Sequence, residues 1–253
     1  MATNHQGKRV AVWLWAPLVV SLLGWAGLVG LADWLAGRQG NAPRDRVGLA
    51  VLAGCLLVLV GGLYDDYRPA TRGLRHQIGR LRRGEVTPGI VKAGIIVLAS
   101  ALVAWMLDLS GLRLALAIPV LAGCANLWNL LDVAPGRALK WFLPAGAALW
   151  AVLGGSSLWG LMAGVVVTAV PLLALDLLEL GMLGDAGANV LGFLVGAGCV
   201  VVLPTPWLAA VLAGILVLHL LAETVTLSRL TDATPPLRWF DRLGRRTASS
   251  SAR

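Results

Sequence analysis

Three short stretches of the chain carry residues that could do chemistry. Asp65 and Asp66 close an apolar run in GLYDD, Asp132 closes NLWNLLD, and Asp185 opens GDAGANVLG. Asp176 and Glu179 lie just ahead of the last stretch, in LDLLELGMLGD. Carboxylates brought into one cleft repel one another unless a cation joins them, and hard oxygen donors suit Mg²⁺. That ion takes one or two carboxylates and keeps its other positions for water and phosphate oxygens. Arg68, Arg72, Arg75, Arg80, Arg82 and Arg83 follow the aspartate pair and supply a field that attracts polyanions. Carboxylates, a divalent metal and basic side chains are the components of a phosphoryl-transfer site. Any one of these aspartates could merely cap a helix or pair with an arginine. The coincidence of all three stretches favours a site.

The spacing inside the stretches adds detail. Asn126, Asn129 and Asp132 recur at steps of three, which puts them near one face of a helix. Two amides and a carboxylate facing lipid would be expensive, so that face belongs in a bundle interior or a polar cleft. Hydrogen bonding between helices would satisfy the same pattern without any chemistry. Gly184 and Gly187 flank Asp185, and glycine lets backbone approach a ligand closely.

The elements that must position these residues follow from composition. The chain has 253 residues, of which 58% are hydrophobic and 13% charged. Soluble domains carry about 25% charged residues, so the deficit, with a mean hydropathy of +0.78, indicates a polytopic membrane protein. A crossing helix needs roughly 20 apolar residues. Eight candidate spans are legible, near 10–33, 47–64, 89–107, 113–131, 139–154, 157–176, 187–203 and 206–227. The fifth and seventh are short and rich in Gly and Ala, which suits tilt or close packing. No alternation suggests a membrane barrel, so the fold class is all-α, a transmembrane helical bundle. The first apolar run is too long for a signal peptide and lacks a cleavage site. Residues 1–230 form one membrane domain, and 231–253 a basic amphipathic segment with a disordered tail.

With eight spans, Lys8, Arg9, the arginines of 65–88, Arg137, Lys140 and the basic tail share one side, against Arg38, Arg44, Arg46 and Arg113 on the other. The positive-inside rule then places both termini, and all three acidic stretches, in the cytoplasm. Trp34, Trp105, Trp159 and Trp207 fall near the outer interface, and Trp13, Trp15, Trp128 and Trp141 near the inner one. Basic loops on anionic lipid account for the net charge of +8, so no nucleic-acid partner is implied. Cys55, Cys124 and Cys199 lie in apolar runs without metal-ligand spacing and read as small packing residues.

Taken in order, the three stretches resemble the motifs of the polyprenyl-phosphate N-acetylhexosamine-1-phosphate transferase superfamily. GLYDD resembles its DD motif, NLWNLLD matches NxxNLxD at every fixed position, and GDAGANVLG resembles GDxGSxxxG with Ala188 in place of the serine. The resemblance covers about residues 5–227. It implies transfer of a sugar-1-phosphate from a UDP-sugar to undecaprenyl phosphate, releasing UMP, for cell-envelope glycan synthesis at the bacterial cytoplasmic membrane. It further implies Asp65, with Asp66 beside it, as base or phosphate-orienting acid. Asp185 would be the principal ligand of Mg²⁺ (or Mn²⁺), with Asp65 as a second. Asn129 and Asp132 would line the nucleotide-sugar site, supported by Asn126 and Gly187, with Arg68, Arg72, Arg75 and His76 as phosphate contacts. A homodimer would fit the family.

The chain also departs from that pattern. It starts where the family's second span would, and no tenth span follows. The cytoplasmic histidine cluster is absent, His219 standing alone as a packing or hydrogen-bonding residue. Pro135 stands where muramoyl-pentapeptide transferases carry a further acid, and the lysines expected after DD are replaced. These departures leave a second expectation, a non-catalytic homologue that binds polyprenyl phosphate or nucleotide-sugar and acts as a membrane scaffold or regulator. A transporter would need polar residues at mid-membrane, and these are nearly lacking.

Overall fold

The computed structural model describes residues 2–3, 9–35, 43–68, 74–154, 156–224 and 227–245. Two short strands come first, β1 (Ala2–Thr3) and β2 (Arg9–Val10), paired antiparallel. Eleven helices follow among the described residues: α1 (Trp15–Leu35), α2 (Pro43–Asp66), α3 (Leu74–Leu81), α4 (Pro88–Met106), α5 (Gly111–Leu131), α6 (Arg137–Val152), α7 (Ser157–Leu177), α8 (Gly184–Val202), α9 (Thr205–Thr224), α10 (Leu227–Ala233) and α11 (Pro235–Arg242).

Each expected span coincides with one long helix. Six of them, α2, α4, α5, α7, α8 and α9, are long and apolar enough to cross a membrane. A helix of 21 residues such as α5 is about 31 Å long, close to the hydrocarbon thickness of about 30 Å. The protein is therefore an integral membrane helical bundle. Among the described residues α1 adds an apolar stretch at Trp15–Leu28, and α6 has 16 residues. The first helix also starts later than expected. Val12 instead pairs in parallel with Met182, and Trp13 and Leu14 donate backbone N–H bonds to the Met182 carbonyl.

Local signals explain several ends. Thr87 caps α4, its hydroxyl accepting the Ile90 N–H at 3.3 Å, and Pro88 takes the first-turn position where a missing N–H costs nothing. Ser156 caps α7 through the Leu158 N–H at 3.1 Å. Glu179 ends α7 in the left-handed region (φ 55°), and Leu180 N–H reaches back to the Leu175 carbonyl.

The bundle is organised around α8, which is buried almost throughout its length and packs on α5, α2 and α6. Its Gly/Ala composition makes that possible. A Cβ on Gly192 would lie 2.2 Å from the Cys124 carbonyl oxygen, so α5 and α8 approach as only a glycine permits. Small size is also the role of Cys55 and Cys124, both buried, and all three cysteines are free thiols. Trp105 and Trp207 are exposed, and Trp128 is buried in the α5–α8 contact.

The C-terminal helix α11 is tied to the bundle by its side chains. Asp241 of α11 is buried and takes a two-pronged ion pair from Arg137, with Nε–Oδ1 2.6 Å and Nη2–Oδ2 3.0 Å. Arg245 donates to the same carboxylate at 2.6 Å and to the Pro135 carbonyl at 3.1 Å, and Lys140 donates to the Asp241 carbonyl at 2.6 Å. The helix is thereby fixed to the loop between α5 and α6.

Candidate functional site

The acid-bearing ends of α2, α5 and α8 meet at one end of the bundle. Gly184 opens α8 with a positive φ of 65°, where a side chain would also strike Val12 and the Asp66 carboxylate. The turn aims the first backbone N–H groups of α8 at the neighbouring helices. Such groups have no partner inside their own helix. Here Asp66 accepts from Asp185 N–H (Oδ1, 2.9 Å) and Ala186 N–H (Oδ2, 3.1 Å), and Asp132 accepts from Gly184 N–H. Two carboxylates from different helices thus cap a third helix, where its dipole also favours negative charge.

Asp65 and Asp185 do something different. Their Oδ2 atoms converge on the ammonium of Lys92, which rises from the first turns of α4. Lys92 Nζ lies 2.5 Å from Asp65 and also bonds Asp185. Asn129 donates to the same Asp185 oxygen at 3.4 Å. Four helices therefore contribute to one polar cluster, and the second oxygen of Asp65 is buried without a hydrogen-bond partner. Lys92 was not expected from the motifs. Its signal was present all the same, as a lone charge five residues into the apolar stretch PGIVKAGIIVLA, a placement that is costly without partners.

Among the described residues, Asp65, Asp66, Asp132 and Asp185 stand near a single ammonium, that of Lys92. Asp132, which caps the C-terminus of α5, shows the effect: burial, and then the charges of Asp176, Asp185 and Asp66, hold its carboxyl well above the usual carboxylate range. Asp176 is buried beside it and accepts the Gly136 N–H at 2.9 Å, which orders the turn after Asp132. Asp132, Asp176 and Glu179 line one shallow cleft with Val10 and Met182.

The donor set admits one kind of metal site. Among the described residues no three His, Cys, Asp or Glu side chains stand close enough to enclose a metal. Asp65 and Asp185 offer two carboxylates to a single cation, which is the number Mg²⁺ uses when water and phosphate oxygens supply the rest. The orphaned Asp65 oxygen and the excess of negative charge fit such an ion, provided that the Lys92 ammonium moves aside.

Other expected site residues lie elsewhere or do other work. Asn126 bonds His219 of α9 at 2.8 Å, and that ring bonds the Ile215 carbonyl at 2.8 Å. Asn126 therefore ties α5 to α9 and does not join the acids, although it shares α5 with Asn129. Gly187 does not face the cluster; its missing side chain leaves room for Leu183 and Trp15. Arg68 lies over the Tyr64 ring at 5.3 Å and is exposed. Arg72 falls outside the described residues, as do the side chains of Arg75 and His76.

No family model matches the chain, and no curated protein does. The resemblance to the transferase superfamily rests on the three sequence motifs alone.

Proposed function

We propose that the protein is a Mg²⁺-dependent sugar-1-phosphate transferase of the membrane, taking a UDP-sugar as donor and a polyprenyl phosphate as acceptor and releasing UMP. The observation that carries this reading is the convergence of Asp65, Lys92, Asn129 and Asp185 from four helices at one end of the bundle, which in this reading lies at a membrane edge. A lipid phosphate enters from the bilayer and a nucleotide-sugar from water, and such an edge is where both can arrive. Asp65 and Asp185 would hold the ion. When bound, it neutralises charge on the diphosphate.

The chain's own residues have distinct parts in this reading. Lys92, freed from the carboxylates, presents an ammonium to a phosphate oxygen. Asn129 orients Asp185 and offers a neutral donor. Asp66 holds the start of α8 in register, so its part is positioning. Asp132, kept protonated more readily than an ordinary carboxyl, can donate a hydrogen bond to an anionic substrate. A proton-accepting role for Asp65 matters little where the lipid phosphate is already a dianion. We place the cluster on the cytoplasmic side of a bacterial cytoplasmic membrane, from the arginine bias of the loops.

A second reading has a specific observation behind it. Lys92 fills the cation position between Asp65 and Asp185, and Asp66 is fully used as a cap. A non-catalytic protein that binds polyprenyl phosphate or nucleotide-sugar could keep the cluster for stability alone. Purified protein given undecaprenyl phosphate, Mg²⁺ and a panel of UDP-sugars separates the two. UMP release with one sugar supports the transferase. Lipid binding without UMP from any sugar overturns it in favour of the second reading.

A further inference from the structure

Helix α11 is built inside out for a helix on a protein surface. At 100° per residue, Trp239 and Leu243 lie one turn apart on one face, with Pro235 a turn earlier. That face points away from the bundle, leaving Trp239 68% exposed and Leu243 50% exposed. Asp241, the acid, points inward instead and is 4% exposed, held by Arg137 and Arg245. A helix in contact with water would present these faces the other way round. Arg238 and Arg242, again one turn apart and both exposed, border the apolar face on one side. Among the described residues Arg242 makes a long, exposed contact to Asp232 at 3.6 Å.

The place of attachment says what lies beyond that face. α11 is fixed to Arg137 and Lys140, in the first turn of α6, directly after the loop that follows α5. Helix α5 ends there after a membrane-length run. Trp141 sits beside the joint, its ring 5.2 Å from that of Phe240 and edge-on to it, and is 38% exposed. Two exposed tryptophans (Trp141 and Trp239), Leu243 and two flanking arginines at the end of a membrane-length helix match an interface of anionic headgroups over acyl chains.

We propose that the outer face of α11 binds the anionic lipid surface of the leaflet at the acid-bearing end, with Trp239 and Leu243 inserted at the headgroup level and Arg238 and Arg242 on lipid phosphates. The Asp241 ion pairs hold the inner face to the α5–α6 loop. The helix is a clamp between bilayer and bundle, and it borders the loop that carries Asp132. This assignment needs only the membrane nature of the chain and stands apart from the transferase reading.

Site-directed spin labelling tests it without any measure of activity. The full-length chain, with Cys55, Cys124 and Cys199 replaced by alanine, carries a single nitroxide at Leu243→Cys in nanodiscs. Labels at Val97→Cys and Arg83→Cys, both exposed, give the lipid and water references. The expected result is an oxygen-to-nickel accessibility ratio several-fold above the Arg83 reference. It should rise further when phosphatidylcholine discs receive a third of phosphatidylglycerol, and R238Q/R242Q should abolish that rise. A ratio like the Arg83 reference overturns the proposal, since the face then meets water. Low access to both reagents also overturns it, and assigns the face to a second copy of the chain. A ratio that ignores phosphatidylglycerol overturns the role of the two arginines.

Discussion

Replacing Lys92 with methionine keeps the length and apolar stem of the side chain and removes its charge. Asp65 and Asp185 then face each other with no cation between them. Their side chains are 6% and 30% exposed. Removing one partner from a buried ion pair costs about 3–5 kcal/mol, because the remaining charge stays desolvated. Water can reach Asp185 and take over part of its solvation, so the lower end applies, about 3 kcal/mol. For a chain of this size each kcal/mol moves Tm by about 2–4 °C, giving a fall of about 6–12 °C. Thermal unfolding in a fixed detergent, followed by circular dichroism, reads this directly. Adding Asp65→Asn to Lys92→Met should recover part of the loss, since a neutral amide needs no counter-charge. Millimolar Mg²⁺ should raise Tm of Lys92→Met more than that of the parent, because the carboxylate pair is then open to a cation. A Tm within about 2 °C of the parent would refute the reasoning. So would a double variant as unstable as the single one.

Other perturbations address the remaining contacts. Asp66→Ala leaves two first-turn N–H groups of α8 unpaired and should lower stability by about 1–2 kcal/mol, with Asp66→Asn milder, by the same thermal assay. Gly192→Ala sets a methyl group against the Cys124 carbonyl and should cost about 1–3 kcal/mol. Gly24→Ala, where a Cβ meets nothing within 4 Å, is its neutral or stabilising control. Asp132 has a raised folded pKa, so its contribution to stability is full below the unfolded value and is lost as pH rises through the folded one. Asp132→Asn should therefore raise Tm at pH 8, and the gain should shrink as pH falls. Asp241 behaves in the opposite sense. Burial raises its pKa, but the hydrogen bonds and charge of Arg137, with Arg245 and Lys140, outweigh this and hold it below the usual range. Docking of α11 should then persist from neutral pH down to the ordinary Asp value of about 3.9 and fail below it. Hydrogen exchange of residues 235–242, corrected for intrinsic rates, should show protection lost only in that acid range.

The long helices were legible because a membrane demands lengths and compositions that nothing else does. Each apolar run became a helix, and the acids at run ends arrived at one end of the bundle. Division of labour among those acids was not legible. Asp65 and Asp66 are adjacent and alike, yet one meets a lysine and the other caps α8. The difference is set by α4 and α8, distant in sequence. Asn126 and Asn129 share a helical face, but a modest difference in direction sends one to His219 and the other to Asp185. The role of Asp241 was hidden too. In PPLRWFDRLGRR it reads as one acid among solvated charges. Only the fold shows that Arg137 lies opposite it, 104 residues earlier.

Helix α8 has a consequence for the order in which the molecule can be made. It is the structural axis of the bundle, yet it leaves the ribosome after six other long helices have begun to insert. Until it arrives, Asp66 and Asp132 have no N–H groups to accept, Asp65 and Lys92 lack their third partner, and α5 lacks the surface that buries Trp128. The earlier helices therefore wait around a missing centre, with their polar groups short of partners. Insertion of α8 relieves all of these at once. Filling the centre of the bundle and assembling the polar cluster are the same event, and only α9 to α11 remain to be added around them.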